Sequence, residues 1–379
     1  MILILSSLLV FLTFLYLLIS IILIIGTVRL KKKTIKGTNL PFVSILVPAK
    51  DEEKTIANCL ESLLQQKYPS DKYEIVVVND RSTDNTPSII KRYQQKHSII
   101  KILNIESNTS GLTGKQNAMI EGLKLCKGKI ILNTDADCFA TPMWVSKTVA
   151  HFSPQMGLVI GFHIPYNTRD SRSVFVDLQS LDMLFLMDSA AGSFGMNVHV
   201  GGAGRNLTFH KDINASNIYK QMGFTITEDT ALIQYVSKNT NWGISAVYDK
   251  DALIMTSAES SLKKFLIQRI RWTLGGHTTR SWILMPLYSI FLYHLYLAVL
   301  IPIAFFLESL AIPVLISFVV KTLVDFVRCW RISREFQRLE LLKVFMLYEF
   351  FMIFYSIISG FGSLFIRKVK WKGDTYVTR

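Results

Sequence analysis

Residues 129–137, KIILNTDAD, place two carboxylates directly after a short apolar run. The run Lys129–Leu132 is typical of a buried strand, and Asp135 and Asp137 follow at its carboxyl end. Carboxylate oxygens are hard ligands that hold Mg²⁺ or Mn²⁺ and leave coordination positions for a substrate diphosphate. Taken alone, the pair is also explained by a solvated turn, because Asp is common in turns. The rest of the chain decides between the two interpretations.

The two ends of the chain are much more apolar than its middle. The 379 residues are 50% hydrophobic and their mean hydropathy is +0.32. Residues 1–28 are almost wholly apolar and precede basic residues at positions 29 and 31–33. This run is longer than the apolar core of a signal peptide and lacks a basic start and a cleavage site. We expect an N-terminal transmembrane anchor, with the following residues on the cytoplasmic side of the cell membrane.

A second apolar region, residues 283–366, predicts two or three further spans. Its apolar blocks lie at 283–307, 309–327 and 341–366. Three spans would put the basic tail 367–379 outside, against the positive-inside tendency. If one block is re-entrant or interfacial, the tail returns to the cytoplasm. Lys321 and Asp325 make the second block the weakest span, and we slightly prefer the topology with a cytoplasmic tail.

The net charge of +14 follows from basic residues that flank the membrane segments and face anionic lipid. Nucleic-acid binding is not predicted, because no basic stripe with interleaved aromatic residues is present. The cysteines have no CxxC spacing, so we expect free thiols in a reducing compartment. They are Cys59, Cys126, Cys138 and Cys329.

The middle region, residues 40–280, alternates predicted strands and helices. The strands are expected at 42–48, 74–80, 99–105 and 129–134. The first helix is expected to open at Asp51, the second to follow a turn and cap at 81–84 and run to about Gln95, and the third to span 116–125. This alternation predicts right-handed crossovers and a mainly parallel sheet, which binds ligands at the carboxyl ends of its strands. Pro48, Asp80 and the pair Asp135/Asp137 therefore converge on one edge. A dinucleotide-binding dehydrogenase is set aside, because no GxGxxG follows the first strand.

The second half of this region is less regular. We expect a helix at 174–191, in the core or on the membrane surface, and a glycine-rich loop at 201–206. Short strands are expected at 207–209 and 242–248, and a helix at 230–237. Residues 261–273 form a basic amphipathic helix, which by itself is most simply interfacial.

Six short segments carry a resemblance to a known family. In chain order they are Val47–Glu53, Val78–Asp84, Gly114–Ala118, Asp135–Asp137, Glu228–Asp229 and Gln268–Trp272. They resemble the opening strand-loop motif, the D-D-x-S-x-D motif, the G-K-x-x-A loop, the DxD, the ED pair and the QxxRW motif of family 2 inverting glycosyltransferases. Two positions depart from the family pattern: Asp51 stands where Asn is commoner, and Asn79 replaces the first Asp. The resemblance covers the whole middle region.

The resemblance implies an α/β fold of the GT-A, nucleotide-sugar-binding type, Rossmann-like and mainly parallel, with a nucleotide-sugar donor that is most often a UDP-sugar. Pro48, Ala49 and Glu52 would pack around the nucleotide, and Asp80 would accept a hydrogen bond from the base. A helix cap is the alternative role for Asp80. Lys115 would contact the diphosphate or the acceptor.

The same resemblance implies the reaction chemistry. Asp137 would ligate Mg²⁺ or Mn²⁺ on the diphosphate, and Asp135 would contact the ribose or support the metal. Asp229 would be the general base, with Glu228 as the alternative base and a helix N-terminal carboxylate as the alternative role for both. Gln268, Arg271 and Trp272 would line the donor or acceptor site, and an interfacial anchor is their alternative role. Arg205 would contact the diphosphate or the acceptor.

The membrane segments favour a lipid-linked or apolar acceptor. They and Trp371-Lys372-Gly373 resemble membrane-bound bacterial members of the family, some of which act on lipid or carotenoid acceptors. A polysaccharide synthase-like transferase is an alternative, but a processive synthase normally needs more spans. A non-catalytic membrane scaffold would be expected to have broken motifs, and a nucleotidyltransferase would lack QxxRW beside membrane spans. A transporter is disfavoured, because no internal repeat is present.

Overall fold

The structure, a computed structural model, describes residues 1–32, 40–107, 111–166, 173–277, 285–365, 368–371 and 374–377. Parts of the predicted basic tail, including Lys372 and Gly373, lie outside the described residues, as do positions 283–284 and 366 at the ends of the predicted C-terminal membrane region.

The strands and helices follow the predicted alternation through the first half of the chain. The strands are β1 Val43–Ala49, β2 Tyr73–Asp80, β3 Ile100–Ile105, β4 Ile130–Asn133, β5 Cys138–Ala140, β6 Met156–Ile160, β7 His163–Tyr166, β8 Leu207–His210, β9 Gly243–Ala246, β10 Ile254–Ser257, β11 Lys368–Trp371 and β12 Asp374–Val377. The helices are α1 Ile2–Lys32, α2 Ile56–Leu64, α3 Thr86–Lys96, α4 Gly114–Leu125, α5 Trp144–Val149, α6 Val174–Gly195, α7 Ala215–Met222, α8 Glu228–Asn239, α9 Leu262–His277, α10 Met285–Ala304, α11 Glu308–Glu335 and α12 Phe345–Phe365.

A seven-stranded sheet in the order β3-β2-β1-β4-β8-β6-β9 forms the centre of the fold. β3, β2, β1 and β4 are parallel to one another, as predicted, and β6 is parallel to β9. β8 runs antiparallel to both β4 and β6, so the sheet is mixed on that side. All eight residues of β2 are buried, which is the reason for its continuous apolar run.

Helices cover both faces of this sheet. α2 contributes Leu60 and Leu63 to one buried cluster, together with alternate residues of β1 and β2 such as Ile45 and Val77. α4 contributes Ala118 to the cluster on the opposite face. Successive side chains of a strand point to opposite faces, so each central strand serves both clusters.

The prediction that Asp51 opens a helix is wrong, because α2 begins only at Ile56. Asp51 has a φ of 52°, and its amide donates to Ser82 Oγ at 3.0 Å. In return the amide of Thr83 donates to Asp51 Oδ1 at 2.8 Å. These bonds join the loop after β1 to the loop after β2, and they take the place of helical hydrogen bonds.

Four apolar segments are long enough to cross a membrane: Ile2–Leu30, Met285–Ala304, Glu308–Glu335 and Leu339–Phe365. Their positions confirm the predicted apolar regions at the two ends of the chain. Which of them cross the bilayer stays a prediction. α12 packs along α9, and a Cβ on Gly362 near its end would lie 2.7 Å from Ile270.

α6 lies between the sheet and the apolar helices, so the open choice for residues 174–191 is resolved in favour of a buried helix. It touches α1 backbone to backbone. A Cβ on Gly195 would lie 1.8 Å from the carbonyl oxygen of Gly26, and a Cβ on Gly192 would lie 2.5 Å from that of Leu23. Only glycine permits this approach, so α1 is packed into the fold.

Lys321 and Asp325, which marked the weakest predicted span, are buried and paired with each other. Lys321 Nζ lies 2.8 Å from Asp325 Oδ2 and 2.7 Å from Glu349 Oε2 of α12. Tyr16 of α1 donates its hydroxyl to Asp325 Oδ1 at 2.6 Å. The charges therefore face the interior of the helix bundle, as expected for ionisable groups in an apolar region.

Candidate active site

A cavity of about 430 Å³ lies at the carboxyl ends of β1, β2 and β4. Twelve of the thirteen residues predicted for the site line it: Pro48, Ala49, Glu52, Asp80, Lys115, Asp135, Asp137, Arg205, Glu228, Asp229, Arg271 and Trp272. The thirteenth, Gln268, is not part of the lining. The predicted convergence at one edge of the sheet therefore agrees with the geometry.

Asp80, at the end of β2, is held in one orientation by the residue that follows it. Arg81 adopts a φ of 55° and donates from Nε to Asp80 Oδ1 at 2.8 Å and from Nη2 to Oδ2 at 3.1 Å. A Cβ on Gly114 would lie 2.5 Å from Asp80 Oδ2, so this glycine leaves room for the carboxylate. The start of α4 is fixed by a capping box between Thr113 and Gln116.

Lys115 and Arg205 bind the carboxylates at the centre of the cavity. Lys115 Nζ lies 2.9 Å from both Asp135 Oδ1 and Glu228 Oε1. Burial works to lower the pKa of Lys115, but these carboxylates raise it above its ordinary value. Arg205 Nε lies 3.3 Å from Asp135 Oδ2, and its Nη2 lies 3.6 Å from Asp137 Oδ2. The two cations and the carboxylates that they contact therefore form one charged wall of the cavity.

Asp229 differs from its neighbour Glu228, although both begin α8. In the parts of the chain that the structure describes, its carboxylate bonds only to backbone amides, those of Gly204 at 2.6 Å and Thr230 at 2.7 Å. Burial raises the pKa of Asp229 to about 6, the Glu228 carboxylate adds to the shift, and Lys115 opposes it. A carboxylate with this pKa, free of an ion pair, suits a general base better than one paired with lysine.

Gln268 and Arg271 of α9 have different surroundings. Gln268 donates to Glu259 Oε1 at 2.7 Å and accepts from Arg269 Nη1 at 2.9 Å, which turns it away from the cavity. Arg271 lines the cavity and forms no hydrogen bond or ion pair with any described residue. Burial lowers its pKa, but an arginine stays charged. Arg271 is therefore a cation available to an anionic ligand.

Arg269, between these residues, was missed by the sequence reasoning. It bonds to the buried carboxylate of Asp182 on α6, and its guanidinium lies 4.3 Å from the rings of both Trp272 and Phe265. It therefore fixes the indole that lines the cavity. The QxxRW spacing marks positions 268, 271 and 272 but leaves no signal at Arg269, whose partner lies far away in the chain.

His163 is a second residue that the sequence did not single out. It contributes to the cavity lining, is 1% exposed, and neither ring nitrogen has a hydrogen-bond partner among the described residues. Burial lowers its pKa to about 3, so the ring is neutral. A lone histidine in a strand carries no pattern that could have shown this position.

A divalent cation would have to use Asp137 and Asp135. Among the described residues no group of three His, Cys, Asp or Glu side chains could form a complete metal site. The two carboxylates still fit Mg²⁺ or Mn²⁺, because such ions bind to one or two carboxylates and complete their coordination with substrate phosphate and water. All four cysteines are buried free thiols, as predicted, and none lines the cavity, although Cys138 Sγ lies 3.3 Å from Asp137 Oδ1.

Two family models match the chain. The model for glycosyl transferase family 2 matches residues 44–206, and the model for glycosyl transferase family group 2 matches residues 130–327, more than half of the chain. The fold and the cavity define a GT-A enzyme of the α/β class, as the sequence predicted. The chain belongs to glycosyl transferase family group 2.

Individual proteins agree with this assignment. A beta-monoglucosyldiacylglycerol synthase of Nostoc sp. is 41% identical over 106 residues, 28% of this chain and 22% of that protein. A poly-beta-1,6-N-acetyl-D-glucosamine synthase of Staphylococcus epidermidis is 26% identical over 242 residues, 62% of this chain and 54% of that protein. A solved mannosyltransferase of Pyrobaculum calidifontis has a TM-score of 0.59 at 17% identity, covering 95% of this chain and 99% of that one. The chain thus matches 22% of the length of the glucosyldiacylglycerol synthase and 54% of the length of the poly-N-acetylglucosamine synthase.

Proposed function

We propose that this chain transfers a glycosyl group from a nucleoside-diphosphate sugar to the hydroxyl of a lipid-linked or apolar acceptor, with inversion at the anomeric carbon. One observation carries the proposal: Asp229, with its raised pKa, lines the same cavity as Asp135, Asp137 and Arg271. A base, a pair of metal-binding carboxylates and a free cation are the groups that this reaction needs. The solved mannosyltransferase with GDP-Man and Mn²⁺ has the same fold and supports the donor class.

The donor nucleotide belongs at the ends of β1 and β2. Pro48 and Ala49 give this part of the cavity its apolar surface, and Asp80 supplies an acceptor for a base N–H. A uracil imide has such a donor, which is the reason to propose a UDP-sugar. The diphosphate would then lie beside Arg271 and Lys115, whose positive charges attract its negative ones.

Asp229 acts on the acceptor. Its carboxylate takes the proton of the acceptor hydroxyl while that oxygen attacks the anomeric carbon from the face opposite the diphosphate. The bond between the anomeric carbon and the phosphate oxygen breaks, and its electron pair stays on the diphosphate. One carboxylate is sufficient for this single displacement, whereas glycosidases use two. A divalent cation held by Asp137 and Asp135 would neutralise charge on the leaving diphosphate.

The apolar helices would hold the enzyme in the cell membrane with the cavity on the cytoplasmic side. Basic residues at the end of α1, at positions 29, 31 and 32, support this orientation. The domain boundaries 40–280 and 283–366 and the number of spans belong to the same proposal. The glucosyldiacylglycerol synthase relative supports a lipid acceptor. The poly-N-acetylglucosamine synthase relative favours the second candidate, a polysaccharide synthase-like transferase.

Nucleoside-diphosphate release tests the proposal. Vesicles that contain the full chain and a bacterial lipid extract would receive UDP-, GDP- and dTDP-sugars, with Mg²⁺, with Mn²⁺ or with a chelator. We expect metal-dependent turnover of one donor and a labelled, lipid-soluble product. Asp137→Ala and Asp229→Asn should both lose this turnover. Unchanged turnover in either variant would contradict the assigned roles, and long polymer as the product would favour the second candidate.

A further inference from the structure

One half of the cavity is apolar and has no part in the chemistry described above. Met183, Leu186, Met187 and Ala190 of α6 all line it. Their spacing of three, four and seven residues puts them in one stripe along the helix, which spans about 10 Å. We call these four residues the α6 stripe. It gives the cavity an apolar wall without strong hydrogen-bonding groups.

Polar contacts on other sides of α6 fix the stripe in place. Asp182 is paired with Arg269 in the buried contact described above. Asp188 accepts from the hydroxyl of Tyr248 at 2.7 Å, and Ser189 accepts from Arg328 Nη2 at 2.5 Å. With these anchors, α6 cannot rotate to bury the stripe elsewhere. Its exposure to the cavity is a fixed feature of the fold.

The apolar half continues onto a candidate membrane helix. Leu287 of α10 lines the same cavity and is 51% exposed. Met285 and Leu292 of the same helix are also exposed. α10 is one of the four helices that are long and apolar enough to cross a membrane. The stripe is therefore continuous with a surface that lipid would cover.

We propose that the α6 stripe binds the hydrocarbon chain of the acceptor, which enters from the lipid phase past Leu287. This inference rests on the proposed function, and it names the acceptor class as a hydroxyl carried on an alkyl or prenyl chain. A sugar chain would lose its hydrogen bonds to water against this wall without replacing them, which is costly. A hydrocarbon chain loses no hydrogen bonds there and gains contact area. The chain on the stripe would leave the hydroxyl for the charged half, where Asp229 lies.

Photolabelling tests the site without requiring sugar transfer. The full chain in phosphatidylcholine vesicles would be exposed to a hexadecanol probe with a diazirine near its terminal methyl. Labelled positions would be identified by mass spectrometry of the peptides. We expect labels within residues 183–190 that unlabelled hexadecanol removes. Leu186→Gln should reduce them about tenfold, because a buried apolar contact becomes polar.

Ala190→Leu keeps the wall apolar but fills it, so it should also reduce labelling. Val174→Gln is the matched control, since Val174 is an exposed apolar residue at the start of the same helix and outside the cavity lining. It should leave the labels unchanged. The inference would be overturned if no labels fell within 183–190, or if Leu186→Gln and Ala190→Leu were labelled as strongly as the wild type. Displacement of the probe by a soluble oligosaccharide, and not by hexadecanol, would also overturn it. If the stripe is labelled but no donor is turned over, the hydrocarbon-binding site is supported and the proposed function is refuted.

Discussion

Asp229 should set the acid side of the pH–rate profile. Burial, with the Glu228 charge, raises the pKa of Asp229 to about 6, and a general base works only when it is deprotonated. Activity is therefore present above this pKa and is lost as the pH falls through it. Because the pKa is raised, the loss should occur near pH 6 and not near the ordinary value of an aspartate. We expect kcat/KM to fall about tenfold for each pH unit below the midpoint. Nucleoside-diphosphate release, measured between mildly acidic and mildly alkaline pH, gives this curve.

Two neighbouring substitutions should move the midpoint in opposite directions. Glu228→Gln removes a charge that raises the pKa of Asp229, so the midpoint should fall. Lys115→Met removes a charge that lowers it, so the midpoint should rise. Both variants also affect the rate, since Lys115 contacts Asp135, but the midpoint reports the base itself.

Asp229→Asn completes the series. It should lower kcat/KM about 10²- to 10⁴-fold, the usual contribution of a general base, and remove the acid limb. The role of Asp229 as the general base is refuted if Asp229→Asn keeps the same acid limb, or if neither Glu228→Gln nor Lys115→Met moves the midpoint. Glu228 would become the base if Glu228→Gln, and not Asp229→Asn, abolished the limb.

Three further predictions concern the metal, the diphosphate and the helix packing. Chelation should abolish turnover, and Mn²⁺ or Mg²⁺ should restore it in the wild type but not in Asp137→Ala; equal rates in chelator would contradict the metal assignment. Arg271→Gln should raise the donor KM about tenfold or more, through the loss of a charge-assisted contact, whereas an unchanged KM would remove Arg271 from the diphosphate site. Gly195→Ala should destabilise the chain by about 1–3 kcal/mol in thermal or denaturant unfolding, because its Cβ meets the Gly26 carbonyl oxygen at 1.8 Å. Gly276→Ala, whose Cβ meets no atom of the described residues within 4 Å, is the control, and equal stability of the two variants would contradict the close packing of α1 on α6.

The sequence predicted the regular part of the fold and most of the charged residues that line the cavity. Strands such as β2 are buried on both faces and so are continuously apolar, and α4 has a recognisable cap. Parallel strands bring their carboxyl ends to one edge, so Asp80 and Asp137 could be placed together before the structure was known.

The remainder depends on partners that are distant in the chain. The loop at Asp51 is not helical because it bonds to Ser82 and Thr83, a contact that composition does not reveal. Gln268 matches a motif, but Glu259 and Arg269 take its side chain away from the cavity. The α6 stripe is equally hidden, because an apolar helix has the same pattern whether it faces a core or a ligand.

The anomeric configuration of the product tests whether transfer occurs by a single displacement. The preferred donor, with its sugar in the α-configuration, would be turned over by the full chain, and the lipid-soluble product would be examined by NMR. Single displacement by a hydroxyl activated at Asp229 predicts a β-linked product in the wild type and none in Asp229→Asn. An α-linked product, or a β-linked product formed equally fast by Asp229→Asn, would contradict the account.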